Sequence, residues 1–309
     1  MLPRVAALAC LTAVAGVLPA QGTPSAICAD PAHEREHPAR MQVLHIPSGG
    51  VRINGVAYVA AGAGPHPTLV LLHGLPGNEQ NLDLAQAVRR AGWNVVTLHY
   101  RGSWGSPGSF RFAQVLEDAA AALAFVRDSA TVRALGVDTT RLVLGGHSMG
   151  GWATVHTAAA DHRLRGAILL SAADMGREGG APHARLVAGM ADNMESLAGV
   201  TAEQMADELA ANADRWRFDR AAGGLARVPL LVLTSDDGLA PQADALIGAV
   251  RAAGNARVTA SHVATDHAWS DRRVALEAAV VDWLRALAAE RGGPAAGPGR
   301  PAGRPGPTR

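Results

Sequence analysis

Lysine is absent from the 309-residue sequence; all 28 basic residues are arginine. That single absence removes several chemistries: a lysine Schiff base, a pyridoxal-phosphate anchor, a Ser–Lys dyad and the lysine of a P-loop. Cysteine is almost missing, with only Cys10 and Cys28. Cys10 falls inside an amino-terminal apolar run, so a chain trimmed after that run keeps Cys28 alone and forms no internal disulfide. Val5 to Val17 is apolar but too short to span a bilayer. Strong net charge is missing as well. The formal charge is +1, and residues 291–309 alone carry four arginines. The remaining body is near neutral or slightly acidic, which offers nothing to a nucleic acid.

What is present is an apolar content of 48%, enough for one sizeable core. Arg4, the Val5–Val17 run and the small residues of Ala20-Gln21-Gly22 read as a signal peptide over residues 1–22, cleaved after Gly22. A secreted or periplasmic protein without stable membrane insertion follows; the alternative is an uncleaved amino-terminal anchor. Residues 23–40 read as a linker, with Cys28 in an unstructured leader. They include His33-Glu34-Arg35-Glu36-His37, which fits H-E-x-x-H. Pro31 and Pro38 bracket that stretch and oppose the helix a zinc site needs, so no metal is expected there. Residues 291–309, nearly all Gly, Pro, Ala and Arg, read as a disordered tail.

Between these ends lies one predicted domain, residues 41–290. Met41–Ile46 and Val51–Val59 alternate as an antiparallel hairpin. Strands at Thr68–Leu72, Trp93–Leu98, Leu142–Leu144, Gly166–Leu170, Val228–Thr234 and Arg257–His262 then alternate with helices. The helices fall at Gln80–Ala91, Phe112–Asp128, Met149–Ala160, Pro241–Ala253 and Asp271–Glu290. That rhythm predicts an α/β fold with a mostly parallel central sheet flanked by helices. Residues 171–227 break it. They are helix-compatible around His183–Leu197 and Thr201–Ala213, with a capping box from Thr201 to Gln204, and read as a small helical cap or an elongated crossover.

The chemistry centres on Gly146-His147-Ser148-Met149-Gly150, a G-x-S-x-G between a short apolar strand and a helix. Such a turn lifts the serine hydroxyl above the sheet and places unpaired N–H groups behind it. A serine nucleophile needs a base and an orienting acid, both at the ends of later strands. Asp236 and Asp237 follow the Val228–Thr234 strand. Asp237 is the preferred acid because Pro241 opens a helix just after it. His267, in the loop after the last strand, is the preferred base. His262 is closer to its strand and reads as structural, and His73, His147 and His156 as packing or hydrogen-bonding residues. The oxyanion donors are expected to be the Met149 N–H and, since Pro76 has none, the Leu75 N–H of His73-Gly74-Leu75-Pro76-Gly77.

These motifs make the chain similar to the α/β-hydrolase superfamily over about residues 41–290. Tyr100-Arg101-Gly102-Ser103-Trp104-Gly105 resembles more narrowly a loop of prolyl-oligopeptidase-type serine peptidases and their propeller-free relatives, including dienelactone-hydrolase-like proteins. On that resemblance the loop ends a strand beside the elbow and lines the pocket, and Arg101 holds either a substrate carboxylate or a structural acid. The chain lacks a propeller, and Thr234 stands where a glycine often precedes the acid. The resemblance implies a serine hydrolase of a small carboxylic ester, acting through an acyl-enzyme and needing no cofactor. The alternatives are a peptidase with the same three residues, an acyltransferase, or a non-catalytic binding protein.

Overall fold

The structure, a computed structural model, describes residues 25–290; the expected signal segment and the tail lie outside the described residues. The strands are β1 (Arg40–Ser48), β2 (Val51–Val59), β3 (His66–Leu72), β4 (Asn94–Leu98), β5 (Val137–His147), β6 (Gly166–Leu170), β7 (Leu230–Ser235) and β8 (Val258–Val263). They form one sheet in the order β1-β2-β4-β3-β5-β6-β7-β8. The first two pairings, β1 with β2 and β2 with β4, are antiparallel; all others are parallel. Gly49 and Gly50, at φ 53° and 82°, make the two-residue hairpin turn that needs positive φ at both positions.

The helices are α1 (Ser25–Cys28), α2 (Leu82–Arg90), α3 (Phe112–Arg127), α4 (Ser129–Leu135), α5 (Met149–Ala160), α6 (Met175–Glu178), α7 (His183–Ala191), α8 (Ala202–Asn212), α9 (Phe218–Ala221), α10 (Ala240–Ala252) and α11 (Arg273–Ala289). The period-two alternation of the strands sorts the core into two layers. Val70, Leu72, Leu142, Leu144, Leu169 and Val232 face α3, α5 and α10. Leu69, Leu71, Val143, Ile168 and Leu231 face α2 and α11. With both faces covered, the inner strands are buried and almost wholly apolar at Leu69–Leu72, Leu142–Leu144, Gly166–Leu170 and Leu230–Leu233, whereas the edge strand β8 is partly exposed. Their carboxyl ends share one edge, where ligands bind in open α/β sheets.

Residues 171–227 carry α6 to α9. The insertion is rooted through Trp216, whose carbonyl accepts from Trp152 Nε1 (3.0 Å) and His156 Nε2 (2.9 Å). Glu208 of α8 accepts from the Phe112 and Ala113 N–H groups and so caps α3. The expected capping box at Thr201 and Gln204 is present.

Several expectations need correction. Residues 129–135, left unassigned in the sequence, form α4, because Asp128 both ends α3 and accepts from Ala130 and Thr131 N–H. The elbow strand begins at Val137, before its apolar run. Cys28 does not sit in an unstructured leader: it is exposed at the end of α1, whose Ala26 carbonyl accepts from Arg90 Nε. Residues 33–37 are not helical. The Tyr100–Gly105 loop does not stand beside the elbow, since β3 intervenes between β4 and β5. Among the described residues no helix is long and apolar enough to cross a membrane.

Candidate active site

Ser148 follows β5 and precedes α5 with φ 55° and ψ −120°, a backbone conformation costing about 1–3 kcal/mol in a non-glycine residue. Its surroundings hold it there. The Ser148 N–H donates to Leu170 of β6 at 3.0 Å, and its carbonyl accepts from Gly151 and Ala173. A Cβ at Gly146 would fall on the Gly150 carbonyl, and one at Gly150 on the carbonyls of Leu72 and His73. Those two glycines let β5, α5 and the loop after β3 converge on the serine.

The β3 loop arrives from one side. A Cβ on Gly74 would lie 2.9 Å from the Ser148 Cβ, so glycine is what lets the loop close on the serine. Neither the Leu75 nor the Met149 N–H meets an acceptor among the described residues. Met149 is the first residue of α5, where helical N–H groups have no internal partner. The loop is buttressed from behind. Tyr100 Oη donates to the His73 carbonyl (3.0 Å) and Trp104 Nε1 to the Pro76 carbonyl (2.8 Å). That is where the Tyr100–Gly105 motif acts, behind the loop and not among the residues lining the pocket. Arg101 is spent on fully buried Asp118, 2.7 Å away, and on Glu117.

From the other side come the two later residues. His267 Nδ1 lies 2.7 Å from Asp237 Oδ2. The Asp237 side chain is 4% exposed and that of His267 40%, so the carboxylate is sheltered while His267 lines the pocket. Burial pushes the Asp237 carboxyl up, but hydrogen bonds from His267, the Leu239 N–H and Ser235 outweigh it and hold the group at about 2. An ionised carboxylate only accepts, so Nδ1 of His267 carries the proton of that bond, which leaves the other ring nitrogen, Nε2, outside it. Asp236 points elsewhere. It pairs with His262 Nε2 at 2.9 Å, while His262 Nδ1 lies 3.0 Å from Thr234 Oγ1.

Three residues that the sequence did not single out tie the acid to the base. Trp269 Nε1 donates to Ser171 Oγ (3.0 Å), which lies 2.8 Å from Ser235 Oγ. Ser235 in turn donates to Asp237 Oδ2 (3.0 Å). All three are essentially buried. Because Ser235 spends its proton on Asp237, Ser171 must donate to Ser235, and the chain has one direction. The only advance signal was small polar residues at strand ends, which is too common to act on.

Ser148 and His267 line one cavity of about 310 Å³, together with Gly74–Glu79, His147, Asp266 and Ala268. A strained serine at a strand–helix turn and a His–Asp pair just past the ends of β7 and β8 in a mostly parallel sheet define an α/β-hydrolase. Within that class, the chain belongs to the family described as serine aminopeptidase, S33, which matches residues 63–222. The match includes the elbow and stops before Asp237 and His267. No curated protein sequence matches significantly. Among solved structures, the chain is similar to EstE1, a thermostable carboxylesterase from a metagenomic library: 22% identity, TM-score 0.61, 82% of this chain and 91% of that one. It is also similar to an esterase from Pyrobaculum calidifontis, with 20% identity, TM-score 0.62 and coverage of 82% and 87%. An acylaminoacyl peptidase from Pyrococcus horikoshii shares 15% identity and a TM-score of 0.59, over 80% of this chain but 41% of its own. At these identities the likeness is one of fold.

Proposed function

We propose that the protein is a serine hydrolase of small carboxylic esters, acting through an acyl-enzyme. Ser148 Oγ attacks the carbonyl carbon and gives its proton to His267 Nε2. Asp237 holds the ring and stabilises the imidazolium that results. The Leu75 and Met149 N–H groups receive the oxyanion, and His267 then protonates the departing alcohol. Water repeats the sequence in reverse on the acyl-enzyme. One observation carries this reading: His267 is bound to a buried carboxylate at one nitrogen and opens at its ring onto the cavity that holds Ser148.

The ester preference is supported by the esterases among its structural relatives, and a peptidase reading by the family's description as aminopeptidases. A fluorophosphonate probe is expected to label the wild type and not Ser148→Ala; equal labelling would remove Ser148 as nucleophile. Turnover of a short acyl ester beside an aminoacyl amide separates the two substrate classes, and a strong amide preference would overturn the ester assignment. Secretion is part of the same proposal and rests on residues 1–22. Amino-terminal sequencing of protein from the extracellular fraction is expected to begin at Thr23.

A further inference from the structure

Ser148 and His267 stand on elements far apart in the chain, yet one side chain joins their backbones directly. His147, the last residue of β5 and the neighbour of Ser148, places Nε2 at 2.9 Å from the His267 carbonyl oxygen. Its ring also packs on the His267 ring, with centroids 4.6 Å apart and planes at 45°. A carbonyl can only accept, so Nε2 of His147 carries the proton and Nδ1 the lone pair. That Nδ1 is buried and has no hydrogen-bond partner among the described residues. A residue placed only to fill space would do better as phenylalanine, which leaves no polar atom stranded. What histidine adds is the donor.

We propose that His147 is a positioning residue that registers the loop carrying His267 against the nucleophile elbow, and does so as an uncharged donor. This rests on the reading of Ser148 and His267 as nucleophile and base. The Asp237 bond fixes one edge of the His267 ring, and the Trp269–Ser171–Ser235 chain ties its loop to the acid, but neither bonds that loop to the elbow. The His147 bond fixes the backbone to the residue beside the serine. Charge matters as well as reach. His267 becomes an imidazolium during turnover, and a second cation one ring away would oppose it. Burial, together with the neighbouring His267, lowers His147 to about 4, so it is neutral at neutral pH. Displacing a reacting group by about 1 Å can cost on the order of 10²-fold in rate.

The test compares His147→Phe, which keeps a ring and loses the donor, with His147→Gln, which returns an N–H near the Nε2 position. The Phe variant is expected to lose kcat by about 10–100-fold with KM within about threefold, and the Gln variant to recover most of that loss. In wild type, ¹⁵N-histidine NMR is expected to show His147 as the neutral Nε2–H tautomer from about pH 8 to about pH 5. The Gln variant assigns that signal, so this measurement decides the matter even if the Phe variant does not fold. Wild-type kcat in His147→Phe, a Gln variant no better than Phe, or an Nδ1–H tautomer would each overturn the inference. Undiminished ester turnover in Ser148→Ala would instead overturn the underlying reading of Ser148 as nucleophile.

Discussion

Asp237 and His267 meet at 2.7 Å although they leave different strands, because β7 and β8 are paired in parallel and end side by side. Their separation is set by the sheet and refined by two loops. The loops are stitched together by the chain from Trp269 through Ser171 and Ser235. The carboxylate at the end of that chain has three donors, and each does a share of the work that keeps it ionised.

Asp237→Asn leaves a shape that can still touch His267 but removes the charge that stabilises an imidazolium. Its kcat is expected to fall on the order of 10³–10⁴-fold with KM little changed, read from steady-state kinetics on a short acyl ester. Ser235→Ala removes one of three donors and leaves the His267 bond in place. It is expected to lose about tenfold or less.

Gly150→Ala tests the elbow. The added methyl meets backbone carbonyls of Leu72 and His73, which cannot turn aside as a side chain can. A destabilisation of about 1–3 kcal/mol is expected by denaturant titration, together with loss of fluorophosphonate labelling in the molecules that remain folded.

Asp118→Asn separates structure from chemistry. Asp118 is fully buried and accepts from Ser48 Oγ, the Arg101 N–H and Arg101 Nε. Neutralising it leaves Arg101 without its buried partner, and a loss of about 3–5 kcal/mol is expected. Activity per folded molecule is expected to stay near wild type; a selective loss of turnover for anionic substrates would instead return Arg101 to the pocket.

Acid stability follows from two histidines. Burial lowers both His73 and His147 to about 4, from 6.5 in an unfolded chain. Between those values the unfolded chain binds protons the folded one does not. Stability is therefore full above about pH 6.5 and declines as pH falls toward about 4, by about 1.4 kcal/mol per pH unit for each histidine. Denaturant midpoints across that window are expected to drop steadily. A flat profile would mean that the two rings are charged in the folded protein. Asp237 adds a contribution at lower pH: present above about 3.9, it is lost as pH falls through about 2.

The strand–helix alternation, the elbow and the α/β-hydrolase superfamily were legible because each is written locally, in apolar runs and in G-H-S-M-G. Asp237 and His267 were singled out by chain order, since each follows a strand predicted to be parallel. The helix at 129–135 was not legible although Asp128 and Gly136 mark its two ends, because Asp128 also closes the preceding helix. The Tyr100–Gly105 loop was misplaced for a different reason: consecutive strands need not be neighbours, and β3 slots between β4 and β5. Ser171, Ser235 and Trp269 could not have been picked out. They acquire partners only when three strand ends come together, and no spacing in the chain encodes that meeting.

The insertion between β6 and β7 reaches back to grip the loop after β3. Ser196 Oγ donates to the Pro76 carbonyl at 2.8 Å, and Asn78 Nδ2 donates to Glu195 at 2.9 Å. Trp104, already braced on Pro76, sends its own N–H to the Ser196 carbonyl. Anyone wishing to graft a foreign lid onto this scaffold therefore inherits an obligation. The donor segment must supply fasteners at those two points, or a change of substrate range arrives with a slackened seat for negative charge and slower turnover.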